Sequence, residues 1–203
     1  TRNSVILGLF AIATAGTLAL TNQATLPRIE CNRQLALESS LHEVMPITMA
    51  DNNLLQDWIL VSDPLLGRGQ HHVYRARLNG NASGVVLEAV APDGYGGRLS
   101  LLVGVDMAGT VTGVRVVTPH NETPGLGDKI ELKKSDWILS FNGTSLTDPE
   151  EAGWAVTKDG GAFDSFTGAT ITPRAVVAQV HRALQYFEQH KNELFEQSAQ
   201  AAD

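Results

Sequence analysis

Three hydrophobic patterns follow one another along the 203-residue chain. The first is unbroken: Ser4 to Leu20 carries no charge, and Arg2 lies just before it. As a helix rising about 1.5 Å per residue, this run reaches roughly 26 Å, just short of a hydrocarbon core of about 30 Å. Asn3 and Thr21 flank it at the two interfaces, where slight thinning covers the shortfall. The run predicts a retained single-span anchor. A cleaved leader is the competing reading, but the small-residue triplet Ala13-Thr14-Ala15 falls inside the apolar run rather than after it. The second pattern has the short period of strands. His71 to Leu78 alternates, Val85 to Ala91 is largely apolar, and Leu99 to Val105 and Val111 to Val117 follow as a hairpin. Turns at Asn79-Gly80-Asn81 and Asp106 to Gly109 make the sheet antiparallel, with one covered face. The third pattern is helical: from Pro173 onward, Val176, Val177, Val180, Leu184, Phe187, Leu194 and Phe195 form a stripe that covers the sheet.

Between these patterns, Leu35 to Val44 has apolar residues at helical spacing and predicts a juxtamembrane helix ended by Pro46. Trp137, Ile138, Leu139 and Phe141 mark Ile130 to Phe141 as a segment packing on the sheet. The expected class is α+β, an antiparallel sheet covered by helices with one N-terminal transmembrane helix. The expected divisions are an anchor (1–24), a juxtamembrane stalk (25–50), one globular domain (51–195) and a polar tail (196–203).

Charge narrows the function classes. A net charge of −7 with no basic stripe argues against a nucleic-acid partner. Cys31 is the one cysteine, so no intramolecular disulfide exists, and it reads as an incidental thiol in the stalk. His42 reads as an exposed helix residue. The adjacent His71 and His72 point to opposite faces of a strand and cannot easily chelate one ion, so no metal site is expected.

Candidate chemistry sits in three loops. Pro92-Asp93-Gly94-Tyr95-Gly96-Gly97 combines closely spaced glycines with one aromatic, which lets a flat ligand approach the backbone beside Tyr95. Thr118 to Lys129 holds two prolines and two glycines, a rigid loop offering an imidazole (His120), a carboxylate (Glu122), a hydroxyl (Thr123) and an ammonium (Lys129), with Leu126 and Gly127 beside them. A His120–Glu122 acid–base pair of a hydrolase is the rival reading, but no oxyanion loop or nucleophile elbow accompanies it. The third loop, Asp164-Ser165-Phe166-Thr167-Gly168-Ala169-Thr170, runs straight into a helix whose expected start is Thr172 as N-cap and Pro173 at the first helical position. Thr170 then lies just ahead of a helix N-terminus, a place that favours a phosphate; the same residues also describe a plain capped turn.

The third loop resembles the Asp-x-x-Thr-Gly-Ala-Thr flavinylation motif of the FMN-binding domains that carry FMN covalently. The run His120-Asn121-Glu122-Thr123-Pro124-Gly125-Leu126-Gly127 is similar to a second signature of that family, and Gly94-Tyr95-Gly96-Gly97 resembles its Gly-Tyr-x-Gly segment. The resemblance implies one FMN per chain, joined through its phosphate to Thr170, with Asp164, Thr167, Gly168 and Ala169 read by a dedicated flavin transferase. It further implies a flavin pocket containing Tyr95, Gly96, Gly97, His120, Glu122, Thr123, Leu126, Gly127 and Lys129. With the anchor included, the chain resembles the G subunits of Rnf complexes, which link ferredoxin and NAD. The C subunits of sodium-translocating NADH:quinone reductases share the motifs but are usually longer. Either resemblance implies an electron carrier without substrate turnover of its own, partnered by membrane and redox subunits and by lipid. It implies a bacterial inner-membrane protein with its main domain in the periplasm; Arg2 on one flank and Arg28 and Arg33 on the other leave orientation undecided by charge. A membrane-anchored FMN-binding sensor is the reading from another class.

Overall fold

A computed structural model describes residues 2–117 and 119–196. The chain divides into two compact units, the first ending at Glu38 and the second beginning at Ser39. The apolar run lies in α1, an α-helix over Arg2–Val44 that continues through Pro27. Among the described residues it is the one helix long and apolar enough to cross a membrane. Its threonines suit that environment. The hydroxyls of Thr14, Thr17, Thr21 and Thr25 donate to the carbonyls of Phe10, Ala13, Thr17 and Thr21 at 2.8–2.9 Å, so none needs a partner outside the helix.

Sequence pattern predicts an anchor and a separate juxtamembrane helix; the structure has one helix, continuous through Pro27. Leu41, Val44, Met45 and Ala50 are buried and belong to the second unit.

That unit is built on a five-stranded antiparallel sheet in sequence order. The strands are β1 (Trp58–Val61), β2 (His71–Leu78), β3 (Asn81–Gly94), β4 (Gly97–Asp106) and β5 (Val111–Val116). A two-residue turn at Asn79-Gly80, both at positive φ, joins β2 to β3 as an Asn-Gly hairpin does. Alternation fixes the faces. Val85, Leu87, Ala89 and Ala91 of β3 lie opposite Val105, Val103, Leu101 and Leu99 of β4, and all eight are buried. α2 (Ile171–His190) covers this face with Val176, Val177, Val180, Ala183, Leu184 and Phe187.

The opposite face is covered as well, a difference from the one-sided expectation. There Gly104 pairs with Gly113, and a Cβ built on Gly104 would lie 2.4 Å from the Val44 carbonyl oxygen. These glycines let residue 44 lie flat on the strands. After β5 the chain runs through short 3-10 turns, including Gly127–Ile130 and Asp136–Phe141. Trp137, Phe141, Trp154 and Phe163 pack there ring against ring, with Phe141 and Phe163 centroids 4.6 Å apart. This is the segment expected to pack on the sheet. α3 (Glu193–Glu196) closes the described chain. The expected polar tail lies, apart from Glu196, outside the described residues.

Candidate functional site

The three motif loops meet at the N-terminus of α2. The end of β3 and the start of β4 present Tyr95 and Gly96; the loop after β5 presents Glu122 to Gly127; the loop before α2 presents Gly168 to Thr170. Tyr95, Glu122, Thr123, Leu126, Gly127 and the run Gly168 to Ile171 line one cavity of about 240 Å³, and Gly96 lies outside that lining. A larger cavity, about 620 Å³, lies elsewhere and touches none of the motif residues beyond the Pro92-Asp93 end of the first loop. Size therefore does not mark the site; convergence of the motifs does.

Glu122 holds the three loops together. Its carboxylate is buried, accepting the Gly96 N–H at 2.9 Å through Oε1 and the Thr172 hydroxyl at 2.6 Å through Oε2. The Tyr95 N–H reaches the same Thr172 hydroxyl at 3.4 Å. Close approach makes glycine necessary twice. A Cβ on Gly96 would sit 2.2 Å from the Asn121 carbonyl oxygen, and one on Gly127 would sit 2.3 Å from Glu122 Oε2. The Thr123 carbonyl caps the following turn by accepting from Leu126 and Gly127 at 3.1 and 3.0 Å.

The start of α2 differs from expectation. The N-cap is Thr170 and Ile171 is the first helical residue, so Thr172 and Pro173 are the second and third. Thr172 caps nothing, because its hydroxyl is committed to Glu122; Pro173 is tolerated because a third-position N–H has no intrahelical partner. Thr170 has helical φ and ψ of −80° and −24°, and its hydroxyl makes no capping hydrogen bond. It stands uncommitted in the cavity wall, ahead of a 20-residue helix whose first N–H groups lack intrahelical acceptors. Gly168, at φ +81°, turns the preceding loop, closed by the Ala169 N–H donating to the Phe166 carbonyl at 3.0 Å.

Aromatic packing steadies that loop from beneath. Trp137 Nε1–H donates to the Asp164 carbonyl at 2.8 Å, and its ring meets Phe166 edge-on at 5.2 Å. Thr172, Ile171 and Trp137 were not expected as site residues. Trp137 was legible only as a packing residue, and Thr172 only as a cap.

The other expected site residues lie outside the cavity lining. His120 Nδ1 accepts the Glu122 N–H at 3.3 Å, and its Nε2 lies 2.9 Å from Glu131 Oε1 but out of line for a hydrogen bond. His120 thus braces the loop. Lys129 is exposed, as are Gly97, Asp164 and Thr167. Nearby, Arg174 hydrogen-bonds Asp159, which holds that carboxyl below its ordinary range. Its guanidinium is therefore already paired.

Three large apolar side chains on the rim, Tyr95, Leu126 and Ile171, are 69%, 42% and 49% exposed. Such exposure beside an uncommitted hydroxyl and a helix N-terminus fits a ligand with a flat apolar body and a phosphate, which is the chemistry of FMN. A cavity this size is smaller than the roughly 300–1,000 Å³ that encloses a whole ligand, so an edge of the ring system would stay accessible.

The chain matches the family model for the FMN-binding domain over residues 94–185 and that for the RnfG N-terminal region over residues 1–44. It is 51% identical over 195 residues to a Pseudomonas aeruginosa protein named as the G subunit of an ion-translocating oxidoreductase complex, covering 95% of this chain and 91% of that one. Proteins of the same name from Pseudoalteromonas atlantica and Vibrio cholerae are 49% and 46% identical, each over 97% of this chain and over 92% and 94% of their own lengths. The chain belongs to the family of G subunits of the ion-translocating oxidoreductase complexes, with an FMN-binding domain behind an N-terminal helix able to span a membrane.

Proposed function

We propose that this chain is the electron-carrier subunit of an ion-translocating oxidoreductase complex, holding one FMN through a phosphoester to Thr170. The carrying observation is Thr170 itself: the last residue of the flavinylation-like loop, its hydroxyl uncapped, in the wall of a cavity rimmed by exposed Tyr95, Leu126 and Ile171. Bound FMN supplies one- and two-electron transfer, and the chain supplies its position. The N–H groups at the start of α2 would bond the phosphate, and the three rim side chains would pack on the ring system.

Forming the ester joins Thr170 Oγ to phosphorus and releases the hydroxyl proton to a base, while the group activating the flavin phosphate departs. A threonine hydroxyl is a poor nucleophile near neutral pH, and the one carboxylate lining the cavity, Glu122, has both oxygens occupied. A separate flavin transferase therefore does the attachment. Exposure of Asp164 and Thr167 fits their being read by that enzyme rather than by the cofactor. The anchor (1–24) would place the globular unit in the periplasm, beside the membrane and redox subunits that give and take electrons.

The test is in-gel flavin fluorescence after denaturation, for the chain and for Thr170→Ala, from cells holding a flavin transferase. A fluorescent band lost in the variant is expected. A dark wild-type band, or a fluorescent variant, refutes the covalent reading.

A further inference from the structure

The larger cavity, about 620 Å³, is lined by Arg68, Arg98 and Arg182, with Asp93 the one carboxylate among its lining residues. The chain carries a net charge of −7, yet here three arginines meet a single carboxylate. Pairing sharpens the contrast. In the globular unit Arg75, Arg77, Arg115 and Arg174 each have a carboxylate partner. Arg68, Arg98 and Arg182 have none among the described residues, and they line the same cavity.

Arg182 is held in place without being neutralised. Gln179, 1% exposed, donates its amide to the Leu65 carbonyl at 2.8 Å, which turns its Oε1 toward Arg182. That oxygen accepts from Arg182 Nε and from one terminal nitrogen at 3.1 and 2.7 Å. The guanidinium is thus oriented by a neutral amide, keeps its full charge, and retains donors for another acceptor. Arg68 follows a turn pinned to β3 by the Val90 N–H donating to the Leu66 carbonyl at 2.7 Å. Arg98 lies near the start of β4.

We propose that this cavity binds a small organic phosphate, an anion of at least two charges, separately from the site at Thr170. Guanidiniums from a loop, a strand and a helix suit the tetrahedral oxygens of a phosphate, which accept from several directions, better than a planar carboxylate, which one arginine satisfies. Three positive groups against Asp93 match a dianion. The volume exceeds what an inorganic ion fills, and Pro64, Val90 and Pro92 wall the remainder with rigid apolar surface. The phosphate is carried either by a free metabolite or by a lipid headgroup; both present the same oxygens.

The test uses the full-length, flavin-loaded chain in detergent, titrated calorimetrically with pyrophosphate at physiological salt. Saturable binding is expected, weakened about tenfold or more in Arg98→Gln and in Arg182→Gln, as removal of one charge-assisted contact predicts. Arg115→Gln, which removes an arginine paired with Glu43 outside the cavity, is expected to bind as the wild type does. Flotation of the chain in phosphatidylcholine nanodiscs with phosphatidylglycerol vesicles reads the second source. Vesicle binding lost in Arg98→Gln, with no pyrophosphate heat, assigns a lipid headgroup; pyrophosphate heat without vesicle binding assigns a free anion. Absence of both signals overturns the proposal. So does equal weakening in Arg115→Gln, which marks nonspecific electrostatics.

Discussion

Glu122 is the point at which the three motif loops are tied, and replacing it has a calculable effect. In Glu122→Ala the part-buried Gly96 N–H and the buried Thr172 hydroxyl lose their acceptor. A buried donor left unsatisfied costs about 1–3 kcal/mol, so the loss is about 2–5 kcal/mol after partial relaxation of the Thr172 hydroxyl. Glu122→Gln is different. Its oxygen still accepts from Gly96 N–H, and its amide donates to the Thr172 oxygen if that hydroxyl rotates, so only the charge assistance goes, about 1 kcal/mol. For a domain of this size 1 kcal/mol is about 2–4 °C in Tm. The alanine variant should melt roughly 4–20 °C lower and the glutamine variant about 2–4 °C lower. Tryptophan fluorescence is the assay of choice, because Trp58, Trp137 and Trp154 all lie in the globular unit and α1 contributes nothing. Equal melting of the two variants, or an alanine variant within about 2 °C of wild type, would show that the carboxylate does not tie the loops.

Three further outcomes follow from other contacts. Gly96→Ala sets a Cβ 2.2 Å from the Asn121 carbonyl oxygen, so the backbones must part at a cost of about 1–3 kcal/mol, and both Tm and the in-gel flavin signal should fall; an unchanged melt with full flavin refutes the fit. Gly104→Ala drives a Cβ toward Val44, and should lower the Tm of the globular unit by a similar amount while leaving the flavin signal per folded chain intact. His181, stacked on Trp154 at 5.1 Å, has its pKa lowered from 6.5 mainly by desolvation, with Arg182 adding and Glu151 opposing. Below pH 6.5 the unfolded chain takes up a proton that the folded chain refuses, so stability falls as pH drops through 6.5 and levels off beneath the folded pKa. Urea midpoints between pH 7.5 and 5 should show a decline that is shallower in His181→Asn, and identical slopes would remove His181 from the account.

Legibility in the sequence followed the range of the interactions. β2 to β5 were readable because alternation and an Asn-Gly turn are local signals, and α2 because its stripe recurs every turn. β1 was not, since Trp58-Ile59-Leu60-Val61 is four apolar residues with no alternation, made a strand only by pairing with His71 to Tyr74. The burial of Val44 rests on the Gly104–Gly113 pair, far along the chain; helical spacing predicts the helix around it but not the strands it meets. The arginine cavity draws on positions 68, 98 and 182, which nothing in the sequence groups together.

The most informative miss is the start of α2. Thr172-Pro173 reads locally as cap and first turn, and that reading fails because Glu122, fifty residues earlier, takes the Thr172 hydroxyl. The helix therefore begins at Ile171 and passes the N-cap to Thr170, whose hydroxyl caps nothing. Two threonines two residues apart are thereby given opposite fates, one tied into the scaffold and one left free in the cavity wall. The Glu122–Thr172 bond and the availability of Thr170 are parts of one arrangement. Breaking that bond in Glu122→Ala would free Thr172 to act as a cap and redraw the helix start. Covalent flavin at Thr170 should then fall further than the loss of folded protein alone explains, and flavin yield per folded chain in that variant measures the coupling.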